Sequence, residues 1–258
     1  MFLVSSPRTR TPPPAGGVHI GPARPRRRVR QPAAAAVTPT LAPPFDAHDL
    51  FEDGDLPREP QQARSRASRD ALLEAAADLF ARRGYTGTNT KDIAEQAGVS
   101  VGTLYFYFKD KRQILVSMLV DKISAYPRLG TVDRDALRAD PRGTVHRDLR
   151  EGYPYNRVYY GLINSVQELV RQDPAFARAT AMIVKAVYRQ VLGYLEVAAE
   201  TGRGYGPADP DATARALAVV VYGFYEMVPN PAKVTEAEYW RRHEAAADVV
   251  YHAVFRPE

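Results

Sequence analysis

The chain has 258 residues, 45% of them hydrophobic, with 35 Lys and Arg against 30 Asp and Glu and a formal charge of +5. That is enough apolar material for one large domain or two smaller ones, and the absence of cysteine excludes disulfides, thiol catalysis and Cys-ligated zinc or iron–sulfur centres. No run of 18 uncharged apolar residues offers a membrane span and Met1-Phe2-Leu3-Val4 is too short for a signal-peptide core, so a soluble, cytoplasmic protein is expected.

Residues 1–60 hold 12 of the 21 prolines. Charge is segregated there, with seven Arg and no acid through Phe45, then six acids and one Arg to Pro60. Such a segment lacks the apolar surface to offset its ordering entropy and is read as a disordered extension, either a basic arm for anionic surfaces or a solvated tail. From Gln61 onward the spacing is helical. Leu72, Ala75, Ala76, Leu79 and Phe80 form one apolar stripe, ended by Gly84 with Arg82 and Arg83 in the last turn. Asn89, with Asp92 three residues on, caps a second helix that Gly98 closes after about two turns. Ser100 caps a third, short helix through Phe108. Asp110, with Gln113, opens a fourth that ends before Pro127.

Residues 127–258 also read as helical. Val158, Tyr159, Leu162, Ile163, Val166, Leu169 and Val170 recur at 3–4 spacing after Pro154. Asp173-Pro174 starts a long helix to about Ala199, with Phe176, Ile183, Val187, Val191 and Leu195 facing inward. Asp209-Pro210 starts another, and Thr235-Glu236-Ala237-Glu238 is a capping box for the last. No stretch alternates as a strand would. An all-α fold follows.

Two short helices joined by Gly98-Val99-Ser100 have helix-turn-helix spacing. In that geometry the second helix enters the major groove while the first crosses the backbone. The recognition helix would be Val101–Tyr107. Gly102 would let the backbone approach DNA, Thr103, Tyr105 and Tyr107 would project hydroxyls, and Leu104 and Phe108 would point back to the scaffold. Lys91, Lys109 and Lys111 surround it with cations, as phosphate contacts require. The charge distribution agrees: residues 61–126 hold 10 basic and 7 acidic residues, whereas 127–258 are balanced at 17 of each.

Arg69–Leu115 resembles the DNA-binding domain of the tetracycline-repressor (TetR) family of bacterial transcription regulators. The resemblance rests on Ala75-Ala76, Leu79-Phe80, Arg83-Gly84-Tyr85, Thr88, Ile93-Ala94, Ala97-Gly98-Val99-Ser100, Gly102-Thr103-Leu104-Tyr105, Tyr107-Phe108, Lys111 and Leu115. After the extension read from composition (1–60), it implies an all-α protein of two domains: a helix-turn-helix DNA-binding domain (61–126) and a helical ligand-binding and dimerisation domain (127–258). By position, Thr88, Lys91, Tyr107 and Lys111 would contact phosphates, and Lys109 less strongly. The sequence departs from the family at Val101, often Lys there, and at Phe106, often His or Arg. Base readout is therefore expected to lean on Thr103 and Tyr105 and on apolar contact with thymine methyls.

The partners implied are a palindromic double-stranded operator, a second copy of the chain and a small-molecule effector that releases a repressor. The expected dimer surface combines the Ala212–Val228 helix, apolar on several faces, with Tyr239, Trp240, Ala247, Val250, Tyr251 and Val254. Tyr159, Ile163, Val184, Tyr188, Tyr222, Tyr225 and Met227 are candidates to line a largely apolar effector cavity. The alternative is a structural DNA-binding or protein-interaction module that senses no ligand. Gly98-Val99-Ser100-Val101-Gly102 matches the G-x-S-x-G of hydrolases, but a helix, not a strand, precedes Ser100. The five His residues have no metal spacing. Neither enzyme activity, a cofactor nor a metal is expected.

Overall fold

The computed structural model describes residues 47–57, 63–126, 128–152, 157–226 and 233–256, which all lie within one compact unit spanning 40–258. Eleven helices run through them: α1 (Ala47–Leu50), α2 (Ala63–Arg83), α3 (Thr90–Gln96), α4 (Val101–Tyr107), α5 (Lys111–Ser124), α6 (Arg134–Ala139), α7 (Pro141–Gly152), α8 (Arg157–Leu169), α9 (Pro174–Glu200), α10 (Pro210–Glu226) and α11 (Glu236–Val254). Among the described residues there is no strand, only an isolated antiparallel bridge between Gly204 and Phe255. No helix among them is long and apolar enough to cross a membrane.

The boundaries follow from the capping residues. Gly84 (φ 73°) and Gly98 (φ 68°) take the left-handed conformation that an L side chain resists, and they stop α2 and α3. The side chains of Asn89, Ser100, Asp110, Asp173 and Thr235 each accept a backbone N–H two or three residues on, satisfying a donor the helix start would leave orphaned. Gln113 completes the start of α5 by accepting the Lys109 N–H. Pro174 sits at the first position of α9, where its missing N–H costs nothing.

Two apolar clusters hold the fold. The first joins α2, α3, α4 and α5 to the far end of α8 and the start of α9 through Leu162, Val166, Ala175, Phe176 and Ala179. The second gathers α6, α7, α10 and α11 on the rest of α9, around Leu137, Val145, Tyr194 and Val250. α8 and α9 therefore run through both. The crossing of α2 over α8 is close: a Cβ at Gly161 would lie 2.3 Å from the Ala77 carbonyl oxygen, so only glycine fits.

Three differences from the sequence reading stand out. Residues 47–57, within the segment expected to be disordered, are folded onto the body, with Leu50 and Phe51 buried and Phe51 edge-on to Phe176 at 5.4 Å. Two adjacent large apolar side chains suffice there, although the surrounding composition is polar. Helices α6 and α7 were not singled out by spacing; Asp133 caps the first. Finally, Tyr239, Ala247, Val250, Tyr251 and Val254, expected on an outward surface of α11, are buried inside the chain, and all of them but Tyr239 attach α11 to the second cluster. On α10, Ala214, Ala218 and Val221 face inward, while Val219 and Val220 are exposed.

Candidate nucleic-acid interface

The turn between α2 and α3 is built first. With Gly84 left-handed, the chain reverses and presents the Tyr85 and Thr88 carbonyl oxygens, and the Lys111 ammonium donates to both at 2.7 Å. The same ammonium lies 4.2 Å from the centre of the Tyr85 ring. Burial lowers the Lys111 pKa, while Glu168 opposes the shift. The Thr88 hydroxyl donates to the Gly84 carbonyl at 2.9 Å, and its side chain is buried. Both residues were expected to meet phosphates. Their polar atoms instead hold this turn, and Thr88 has no exposed side chain to offer.

Glu168, near the end of α8, reaches the same turn. Its carboxylate accepts the Tyr85 N–H at 2.9 Å, the Thr86 N–H at 3.0 Å and the Thr86 hydroxyl at 3.1 Å. A second joint lies at the start of α5, where the Arg112 guanidinium donates to both Asp55 and Asp173. The Asp173 hydrogen bond, strengthened by Asp55, pushes the Arg112 pKa up, and Arg112 holds the Asp173 carboxyl below its usual range. The sequence reading named neither Glu168 nor this triad as functional. Asp173 showed only as a cap, and nothing local signals a partner 57 to 83 residues away.

Helix α4 is presented by this frame. Leu104 and Phe108 are buried and fix it to α2, α3 and α5. The face beside them is open: Val101 is 39% exposed, Tyr105 53% and Phe106 73%. The hydroxyls on it are paired within the protein, Thr103 with Ser100 at 2.8 Å, Tyr105 with Thr90 at 3.1 Å and Tyr107 with Ser65 at 2.8 Å. Lys91 is exposed near the start of α3. Lys109 is half exposed, but its ammonium donates to the Gly54 carbonyl and lies 3.9 Å from the Asp55 carboxylate. In this structure the acidic 52–55 segment thus occupies the cation that was to meet a phosphate.

Ser100 accepts the Thr103 N–H at 3.0 Å as the cap of α4, and a helix and turn precede it, so it lacks the strand a nucleophile elbow requires. No cluster of His, Cys, Asp or Glu among the described residues could hold a metal ion.

Of the effector candidates, Val184 and Tyr188 come together in an open groove of about 440 Å³ between α9 and α10, with Lys185, Arg215 and Val219. Tyr188 donates to Asp211 and carries Arg215 over its ring at 4.8 Å. Tyr159 is buried in the second apolar cluster and Ile163 packs against it, away from this groove. Tyr222 is half-buried on α10 and does not line the groove. The side chain of Tyr225 and all of Met227 lie outside the described residues.

Comparison with known proteins agrees with this geometry. The family described as "Bacterial regulatory proteins, tetR family" matches residues 72–118, which run from the body of α2 into α5. The HTH-type transcriptional repressor KstR2 of Mycolicibacterium smegmatis is 46% identical over 65 residues, covering 25% of this chain and 31% of the relative. The fatty acid metabolism regulator protein of Bacillus subtilis is 40% identical over 55 residues, covering 21% and 28%. These matches span under a third of either relative's length. The solved complex of SmeT with triclosan has a TM-score of 0.53 at 21% identity, covering 74% of this chain and 92% of that one. SmeT is described as the repressor of the Stenotrophomonas maltophilia multidrug efflux pump SmeDEF. The helical layout is thus shared well beyond the helix-turn-helix. Residues 72–118 thus match the helix-turn-helix domain of the tetR family of bacterial regulatory proteins.

Proposed function

We propose that this chain is a homodimeric, sequence-specific repressor that reads a palindromic operator with α4 and is released by a small-molecule effector. The observation that carries the reading is α4 itself: anchored by Leu104 and Phe108 and open on the face of Val101, Tyr105 and Phe106. A helix fixed on one side and free on the other is what major-groove docking needs. Thr103 and Tyr105 keep a share in base readout, since each hydroxyl pair commits only one of its two O–H donors internally. Phosphate contacts fall to Lys91 and to Tyr107, with Lys109 available once it leaves Gly54. Thr88 and Lys111 contribute through the turn they hold.

The dimer would form on the outward faces of α10 and α11, where Val219, Val220 and Val249 are exposed. An isologous two-fold contact there would set two copies of α4 against one duplex. Effector control has a physical route in Glu168. A ligand that shifts α8 would carry the turn at 84–88 and tilt the helix-turn-helix away from groove spacing, lowering affinity by its preference for that state. The likeness to SmeT, solved as a complex with triclosan, supports a small-molecule effector, and the groove at Val184 and Tyr188 is a candidate site for it. The cytoplasm is the compartment this activity implies.

The reading is tested by sedimentation of the chain at micromolar concentration, alone and with operator duplex. A dimer that binds one duplex per two chains is expected. A monomer in both states would remove the palindrome-reading mechanism.

A further inference from the structure

We propose that Val101 and Phe106 make α4 a reader of thymine methyl groups, with Gly102 kept as glycine for clearance to the base edges; this rests on the DNA-recognition reading above. On α4, Val101 and Tyr105 are four positions apart, as are Gly102 and Phe106, so the four form one continuous exposed face beside the buried Leu104 and Phe108. That face carries no amide, guanidinium or ammonium group. Phe106, its most exposed member at 73%, is pure hydrocarbon, and its ring packs edge-on against Tyr107 at 5.1 Å, which limits where it can point.

Gly102 supplies an independent observation. It lies inside a helix, where glycine is unfavourable, yet a Cβ added there would meet only the Ser100 hydroxyl oxygen at 3.7 Å, an ordinary contact. Unlike Gly84 or Gly161, nothing in the folded chain requires it. The space in front of it is empty in the protein alone and sits on the same face as Phe106, one helical turn away.

The chemistry of the groove selects the occupant. Each base pair presents polar atoms in the major groove, and thymine alone adds an apolar group, its 5-methyl. The hydrocarbon of Val101 and Phe106, pressed on guanine, adenine or cytosine edges, strips water from polar atoms without replacing their hydrogen bonds. Against thymine it buries a methyl group. Discrimination here comes from the penalty on other bases as much as from attraction.

The test uses the full chain and the half-site it selects from random duplexes. Each thymine is replaced by deoxyuridine, which removes the methyl group and nothing else. At one or two positions affinity should fall about fourfold per half-site, the worth of one buried methyl. The Phe106→Ala chain should bind the operator more weakly and no longer distinguish deoxyuridine from thymine at the position Phe106 covers. Val101→Ala is the second variant, with the same expectation at a neighbouring position. A selected half-site without thymine, or one whose thymines all tolerate deoxyuridine, overturns the proposal. So does a full response retained in both variants. If selection enriches no sequence, the DNA-recognition reading fails and this proposal falls with it; an enriched site indifferent to methyl groups sinks this proposal alone.

Discussion

Glu168 and Tyr85 are 83 residues apart in sequence and 2.9 Å apart in space, where the Tyr85 N–H donates to the Glu168 carboxylate. With the Thr86 N–H and hydroxyl on the same group, one side chain of α8 satisfies three donors of the turn that sets α3 and α4. Glu168→Ala should therefore cost about 1.5–3 kcal/mol, the usual worth of a hydrogen bond to a charged acceptor. Thermal denaturation should show a midpoint several degrees lower. In the same variant an effector should shift operator affinity less than in the parent chain. An unchanged midpoint would show that the turn holds itself.

Lys111→Ala separates two roles that position alone confuses. The ammonium bridges the Tyr85 and Thr88 carbonyls, so its loss should lower the melting midpoint while leaving the salt dependence of DNA binding unchanged. A phosphate contact would behave in the opposite way, lowering the slope of log K against log salt by about one. Salt titrations of parent and variant on one duplex decide the matter.

Gly102→Ala should stabilise the protein or leave it unaffected, since alanine is favoured over glycine in helices by roughly 0.5–1 kcal/mol and the site is open. Operator affinity should nevertheless fall about tenfold or more, because the added methyl occupies the space the base edges need. Stability and affinity moving in opposite directions is the signature to measure. Unimpaired binding would remove glycine's role at the groove.

Lys122 provides a pH handle. Its side chain lies between the Tyr126 and Tyr159 rings, at 5.6 and 5.2 Å, and burial lowers its pKa to about 8. Between about pH 8 and the ordinary lysine range, the unfolded chain holds a proton that the folded chain has released. Stability must therefore rise with pH across that window. Relative to Lys122→Met, the parent should gain a few degrees in melting midpoint from pH 7.5 to 9.5. A parallel pair of curves would mean that the amine titrates normally.

Much of this was legible in the sequence because it is written locally. Asn89, Ser100, Asp110, Asp173 and Thr235 announce helix starts, Gly84 and Gly98 announce stops, and the apolar spacing of α2 and α9 gives their buried faces. What failed was long-range. Leu50 and Phe51 are too short a run to stand out from an acidic, proline-rich stretch, and only their seat against Phe176 reveals them as core. Lys109 and Lys111 sit two positions apart in a basic stretch, yet one meets Gly54 and the other the α2–α3 turn. Periodicity marks α11 as amphipathic without saying whether its stripe meets its own chain or another.

The central claim, that α4 reads base sequence, is tested most directly by selecting binding sites for the full chain from random duplexes and measuring the salt dependence of the enriched sites. The account predicts a palindrome with half-sites one helical turn or a multiple apart. It also predicts that the site outcompetes random duplex at every salt concentration. No enrichment, with equally steep salt sensitivity on any duplex, would contradict it and leave a protein held to DNA by phosphates alone.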